Sequence, residues 1–388
     1  MTSRETACCG LLLLLSVTSC SRPGPRELVK PPLEKTRGLL DSSQVQLVFT
    51  FAQRFPNGTQ LSLCIITGDS EKYVGIQRRN DSLVVIENRD SVFEIGSITK
   101  TFTGTMLAAL VYEGKVDPNE PIRNFLPVPL RQSSRDGVEI TLTHLANHTS
   151  GLPRDPENVQ DNGDSPFDPY SPYRYYDTGR LYDYLSGQMV LQSTPGEKRS
   201  YSNLGGGLLG HILTLIAAKP YEELLFETVC APLGMKSTFV TLSDERKRSM
   251  VRGRDPRGQL LPFEGGDCGS LTGAGGIHSS ARDLARYLKA NMIDTTYFSL
   301  AQKTTKSFDE HLTGGLGWAT YSERGKHHVG AFGATGGYTS GVIFERNERV
   351  GVVLLTNVSA FAVSTGNYTE KLCRDLYDPL PFVHGLGK

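Results

Sequence analysis

Ser97-Ile98-Thr99-Lys100 constrains this chain more than any other feature, because it sets a hydroxyl and an amine one helical turn apart. The run that follows, Thr101 to Glu113, is mostly apolar and is closed by Gly114, which reads as a helix. Residues three apart on a helix share a face, so the Lys100 amine reaches the Ser97 hydroxyl. Ser97 then falls in the first turn, where free backbone N–H groups and the helix dipole favour negative charge. That environment suits a serine that must become an alkoxide.

Two further stretches carry chemistry. Tyr201-Ser202-Asn203 stands just before a glycine-rich apolar segment, Leu204 to Ala217, that reads as a buried helix. A Tyr-x-Asn there sets a phenol beside an amide, and a phenol near an ammonium has its ionised form favoured, as a general base requires. Towards the C-terminus, Gly330 to Tyr338 leads into a hairpin pattern: strands Thr339 to Phe344 and Val350 to Asn357, joined by a polar turn at Glu345 to Arg349. The glycines before it allow close approach to the backbone.

In this order the three elements resemble the serine β-lactamase and penicillin-binding superfamily, specifically its class C β-lactamase-related branch. Ser97-Ile98-Thr99-Lys100 matches the family's Ser-x-x-Lys, and Tyr201-Ser202-Asn203 its Tyr-x-Asn. Phe93-Glu94-Ile95-Gly96, His148-Thr149-Ser150-Gly151-Leu152-Pro153, Gly275-Gly276-Ile277 with Asp283-Leu284-Ala285, Gly315-Leu316-Gly317-Trp318 and Thr335-Gly336-Gly337-Tyr338 are similar to family signatures as well. The resemblance implies acyl transfer: Ser97 attacks a carbonyl, and Lys100 and Tyr201 move its proton. It further implies that Asn203 holds the lysine or the substrate amide, and that the backbone N–H groups of Ser97 and Ala334 hold the oxyanion. Gly333, Ala334 and Thr335 are thus expected in the substrate site. His144, His148, His211 and His278 are read as structural or surface groups.

One position departs from the pattern. The family's third motif is Lys-Thr-Gly, His-Thr-Gly or His-Asn-Gly, and counting back from Thr335 it falls on Ala331-Phe332-Gly333. The glycine is kept, but alanine replaces the cation or imidazole that helps bind a substrate carboxylate. Lys326, His327 and His328 lie just upstream and would substitute only through a bulge or a slipped register, which a strand with one buried face resists. Altered substrate choice or weak activity is the expectation. The resemblance implies an amide- or ester-cleaving hydrolase of D-alanyl-peptidase or esterase type. A β-lactamase proper and an inactive ligand-binding relative stand as alternatives.

Other features bound the reading. Lys plus Arg equals Asp plus Glu, at 41 each, with no basic stripe, so nucleic acid is not an expected partner. A small molecule or a peptidoglycan-like peptide is the expected substrate, and no cofactor or metal is expected. Arg4 and the apolar run Cys8 to Val17 fit a signal peptide, too short to span a bilayer. Val17-Thr18-Ser19-Cys20 resembles a lipoprotein cleavage box, which implies a periplasmic or cell-surface lipoprotein held through a lipid on Cys20. A secreted glycoprotein is the alternative, given sequons at Asn57, Asn80, Asn147, Asn357 and Asn367, of which Asn147 is a poor glycan site. Cys64, Cys230, Cys268 and Cys373 allow up to two disulfides or none.

The domain reading is a signal at 1–19, a tether at 20–42, a catalytic domain at 43–380 and a tail at 381–388. Strands Leu61 to Thr67 and Lys72 to Gln77, helix Ala281 to Asn291, the C-terminal strands and a helix at Thr365 to Leu376 flank a middle section read as helical. The fold class is therefore α+β, an α/β sandwich: an antiparallel sheet flanked by helices, with an inserted all-helical subdomain at about 115–260. The tyrosine-rich stretch Asp155 to Tyr184 either overhangs the cleft or is a plain surface excursion.

Overall fold

The computed structural model describes residues 39–161, 167–262, 268–293, 295–323, 326–359, 361, 368–378 and 380. The expected signal, Cys20, Asn367 and the tail lie outside the described residues.

Alternating apolar residues at both ends of the chain build one sheet. The N-terminal strands are β1 (Gln60–Thr67), β2 (Ser70–Arg79) and β3 (Ser82–Ile86). Strands β8 (Lys306–Ser307), β9 (Leu312–Gly314), β10 (Ala319–Glu323), β11 (Lys326–Ala334), β12 (Thr339–Glu345) and β13 (Val350–Thr356) complete it. Their order is β3-β2-β1-β13-β12-β11-β10-β9-β8, antiparallel throughout. The β1–β13 pair, from Leu61↔Thr356 to Thr67↔Val350, joins the two ends of the sequence. A short pair, β4 (Val92–Glu94) with β7 (His278–Ser280), leads into the Ser97 turn.

Period-two alternation fills both faces. Leu61, Leu63 and Ile65 of β1 and Val350, Val352 and Leu354 of β13 pack under helices α1 (Ser42–Ala52) and α5 (Tyr368–Tyr377), meeting Val45, Val48, Phe49, Leu372 and Leu376. Cys64, Ile66, Val342, Phe344, Val353 and Leu355 face the opposite way, towards α2 (Thr99–Tyr112) and α4 (Ala281–Ile293). Each such side chain, fully buried, contributes about 1.5–3 kcal/mol.

Helix α2 is buried all round from Thr99 to Leu110, as a helix inside a core must be. Its threonines survive there because each is satisfied: Thr101 donates to the Ile98 carbonyl at 2.8 Å, and Thr105 shares a hydrogen bond with the Tyr287 hydroxyl at 2.8 Å. Helix α3 (Asn203–Ala217) crosses close to it, starting at the N-cap Ser202, whose Oγ accepts the Gly205 N–H at 2.8 Å.

The section between α2 and β7 is less regular than the all-helical reading expects. Alongside α3 it holds short helices such as Leu142–Ala146, Thr178–Asp183 and Tyr221–Leu225, and a small hairpin, β5 (Ser134–Arg135) with β6 (Val138–Glu139). Long stretches rich in proline and glycine lie between them, where no continuous ladder of helical bonds can run. Cys64, Cys230 and Cys373 are buried thiols outside any disulfide. Asn147 and Asn357 are buried too, which closes those two sequons to a glycan in the folded chain, whereas Asn57 and Asn80 are exposed.

Candidate active site

Ser97 sits in a single 3-10 turn, Gly96–Ile98, from which α2 runs on directly. Gly96 has φ of +50°, and a Cβ on it would lie 2.7 Å from the Ala334 nitrogen, so only glycine lets the end of β11 approach this turn. The Lys100 Nζ lies 3.1 Å from the Ser97 Oγ, as the spacing predicts. The same ammonium donates to Asn203 Oδ1 at 2.9 Å and to the Ala274 carbonyl at 2.6 Å. Three donors thus meet three acceptors, the full capacity of an ammonium. Tyr201 donates from its hydroxyl to Ser97 Oγ at 2.6 Å. Ser97, Lys100, Tyr201 and Asn203 therefore form one hydrogen-bonded group.

Surroundings tune the phenol. Burial opposes ionisation of Tyr201, but the nearby Lys100 charge, the hydrogen bond to Ser97, and Arg154 outweigh it and hold its pKa below the ordinary value. The Lys100 Nζ lies 4.9 Å and the Arg154 Cζ 5.0 Å from the centre of the Tyr201 ring. The His148 ring packs 4.4 Å from that ring, while its Nδ1 accepts the Ser202 N–H at 3.3 Å. Burial and the nearby cations hold the His148 pKa well below the usual histidine range, so it packs as a neutral ring.

These groups face a cleft of about 570 Å³, lined among others by Glu94, Asp155, Tyr170, Tyr173, Gly333, Ala334 and Thr335. Gly333 cannot carry a side chain, since a Cβ there would overlap the Ile95 carbonyl oxygen. Strand β11 pairs with β12 without a bulge from Val329↔Phe344 to Ala334↔Thr339, so the register is not slipped. Ala331 occupies the third-motif position, and His328 lies buried beside Tyr321 instead. A second hollow of about 210 Å³ opens at Ala331, bordered by Ser97, Lys100, Arg199 and Tyr201.

Comparison with known proteins places this geometry. Residues 70–370 match the family model described as Beta-lactamase. The chain belongs to the Beta-lactamase family. It is 30% identical over 328 residues, 79% of each chain, to the D-alanyl-D-alanine-carboxypeptidase/endopeptidase AmpH of Escherichia coli. A Beta-lactamase of Pseudomonas fluorescens is 28% identical over 270 residues, 67% of this chain and 69% of that one. In fold, the chain matches a Beta-Lactamase/D-Alanine Carboxypeptidase structure from Pseudomonas syringae with a TM-score of 0.70 at 23% identity, over 88% of this chain and 100% of that one. Membership carries the coarse activity with it: this is a family of serine hydrolases of β-lactamase and D-alanyl-D-alanine carboxypeptidase type.

Within this family frame the structure adds residues that sequence reasoning passed over. Asp155 and Tyr173 both touch the Asn203 amide nitrogen, at 3.0 Å each, and Ala274 supplies the third acceptor for Lys100. The Asp155–Tyr184 stretch does overhang the cleft: Tyr170, Ser171, Pro172 and Tyr173 line it, and the Tyr170 carbonyl sits against Gly336. Tyrosine enrichment after the Gly151-Leu152-Pro153 loop was the only sequence signal for this. His148, expected to be structural, is structural in contact with Tyr201 itself. Glu94 is buried in the cleft wall, and burial pushes its carboxyl up to about 7.

Proposed function

We propose that the protein is an exported serine hydrolase that cleaves an amide or ester bond through an acyl-serine, of D-alanyl-peptidase or esterase type. The observation that carries this is the convergence of Lys100 and Tyr201 on one Ser97 oxygen, at 3.1 and 2.6 Å. Lys100, with its donors fully engaged, acts as the fixed cation. The Tyr201 phenolate takes the Ser97 proton as Oγ bonds to the carbonyl carbon, and the phenol then returns that proton to the leaving nitrogen or oxygen. In the second half, Tyr201 takes a proton from water, the hydroxide oxygen bonds to the acyl carbon, and the bond to Ser97 breaks as Oγ recovers a proton. The developing oxyanion is held by the backbone N–H groups of Ser97 and Ala334, a kind of contact worth about 10²–10³-fold in rate.

The vacant Ala331 position supports a peptidase or esterase over a dedicated β-lactamase, because the side chain that would anchor a substrate carboxylate is missing. Export rests on the apolar run Cys8 to Val17 and the box ending at Cys20. The test is intact-mass spectrometry after separate exposure to a penicillin and a fluorophosphonate, with Ser97→Ala as control. A fluorophosphonate adduct that is lost in the variant is expected. No adduct and no turnover with either reagent would leave a ligand-binding relative as the better reading.

A further inference from the structure

Three carboxylates border the main cleft, and two of them are matched. Asp155 accepts from the Asn203 amide at 3.0 Å and from the Tyr173 hydroxyl, and Glu370 is held by Arg374 at 3.1 Å from its own helix. Glu94 has no such partner. It is 9% exposed, and among the described residues no cation acts on it: burial raises its pKa, and only the Thr335 hydroxyl counters that. Tyr338 is close by, since the Glu94 charge joins burial in pushing its phenol up, yet the Tyr338 hydroxyl donates to the Val251 carbonyl at 2.7 Å. A carboxylate kept from water with no cation beside it is unfavourable. A ligand that brings a cation there supplies what the protein itself does not.

Glu94 also stands where two cavities meet. With Tyr170 and Ser171 it borders both the cleft of about 570 Å³ that holds Ser97 and a side chamber of about 270 Å³. Leu261, Pro262 and Tyr338 wall the chamber. Gly337 and Gly253 close it backbone to backbone, since a Cβ on Gly337 would lie 2.9 Å from the Gly253 Cα. Asp168 and Arg174 add one charge of each sign, and neither shifts the Glu94 carboxyl, so the unmatched charge of the chamber is that carboxylate. Glu94 precedes Ser97 by three residues, a backbone span of at most about 11 Å. A lysine-length side chain on the acyl group and the glutamate side chain bridge that span between them.

Resting on the acyl-serine reading of Ser97, we propose that the side chamber at Glu94 receives a cationic side chain of the acyl donor. The substrate class is then an amide or ester whose acyl residue is of lysine or ornithine type, in preference to an uncharged residue of the same length. The apolar walls take the methylenes of the stem and keep water from the pair, while the Glu94 carboxylate takes the ammonium. Tyr170 and Ser171, shared by both cavities, form the threshold that the side chain crosses.

The test uses the full chain carrying Ser97→Ala, which binds without turning over, at pH 8, where the Glu94 carboxyl is mostly ionised. Calorimetry would compare the p-nitroanilides of Nα-acetyl lysine, norleucine and glutamate, each in D and L form. The lysine compound is expected to bind about tenfold more tightly than norleucine, or better, in at least one hand. Glu94→Gln keeps the shape but removes the charge, and it should bring that ratio close to one, with the melting temperature showing that the variant is folded. Asp168→Asn should leave the preference in place. Equal or tighter binding of norleucine, a preference that survives Glu94→Gln or is lost in Asp168→Asn, or no detectable binding would overturn the proposal. Tightest binding of the glutamate compound would overturn it in favour of an anion site at the arginines of the cleft. Because binding is read without chemistry, lysine selectivity in a protein that takes no fluorophosphonate would sink the hydrolase reading alone. A fluorophosphonate adduct without lysine selectivity would sink this proposal alone.

Discussion

Tyr201 reaches Ser97 across 2.6 Å although 104 residues separate them, and it does so from the loop that caps α3. Burial pushes the phenol up, but the Lys100 charge, the hydrogen bond to Ser97 and Arg154 together outweigh it and hold the phenol below its ordinary pKa.

Tyr201→Phe is expected to lower the rate of acylation by about 10²–10⁴-fold, the usual worth of a positioned general base. In the wild type the rate should climb with pH as the phenol ionises and level off above its lowered pKa. The variant should lose that rising limb. Stopped-flow acylation by an activated ester across pH 5 to 10 reads both, and an unchanged pH profile in Tyr201→Phe would remove the tyrosine from the role of base.

Gly206 offers a test of Lys100 that leaves the lysine intact. A Cβ at Gly206 would lie 2.9 Å from the Lys100 Cε, so the flexible side chain must move aside. Gly206→Ala should lower the melting temperature, since moving the buried Lys100 amine off its three acceptors outweighs the about 0.5–1 kcal/mol by which alanine favours a helix interior over glycine. Acylation should slow by about ten- to a hundredfold in the protein that remains folded, because a displaced catalytic group is costly. Equal activity in the two forms would mean that the position of the ammonium is not critical.

Ala331→Lys places a cation at the mouth of the second hollow, beside Ser97 and Tyr201. A charge-assisted hydrogen bond is worth about 1.5–3 kcal/mol, so acylation by penicillin should accelerate by about tenfold or more. Adduct formation over time, followed by mass, checks this. No gain would show that something other than the missing cation limits penicillin recognition.

Glu94 predicts how stability depends on pH. Its folded pKa is raised to about 7 from 4.5, so between those values the unfolded chain releases a proton that the folded one keeps. Its contribution is complete below pH 4.5 and is lost as pH rises through 7, by a few kcal/mol (order-of-magnitude). Glu94→Gln should flatten that part of the curve and be more stable than wild type at pH 8. Denaturant titrations at pH 4.5, 6 and 8 would show it, and parallel curves for the two proteins would rule it out.

Much of this was legible in the sequence where the reason was local. The i, i+3 spacing of Ser97 and Lys100 set their contact, short apolar runs between turn residues marked β1, β2, β12 and β13, and Gly114 closed α2 where expected. The register at Ala331 was legible too, since slipping β11 by one residue would turn Phe332 and Val329 to the wrong faces. The middle section was over-read as helical, because apolar patches between prolines and glycines mark burial without fixing a backbone form.

Spacing along a few turns or strands was enough to place Lys100 against Ser97 and to mark strands β1, β2, β12 and β13. Only the tertiary structure decided what Asn203 does. Its Oδ1 accepts from Lys100, and its Nδ2 turns towards Asp155 and Tyr173, at 3.0 Å each, because the loop that carries them folds back over the cleft. No local pattern encodes that closure, because it is set by the packing of segments distant in sequence around a single amide.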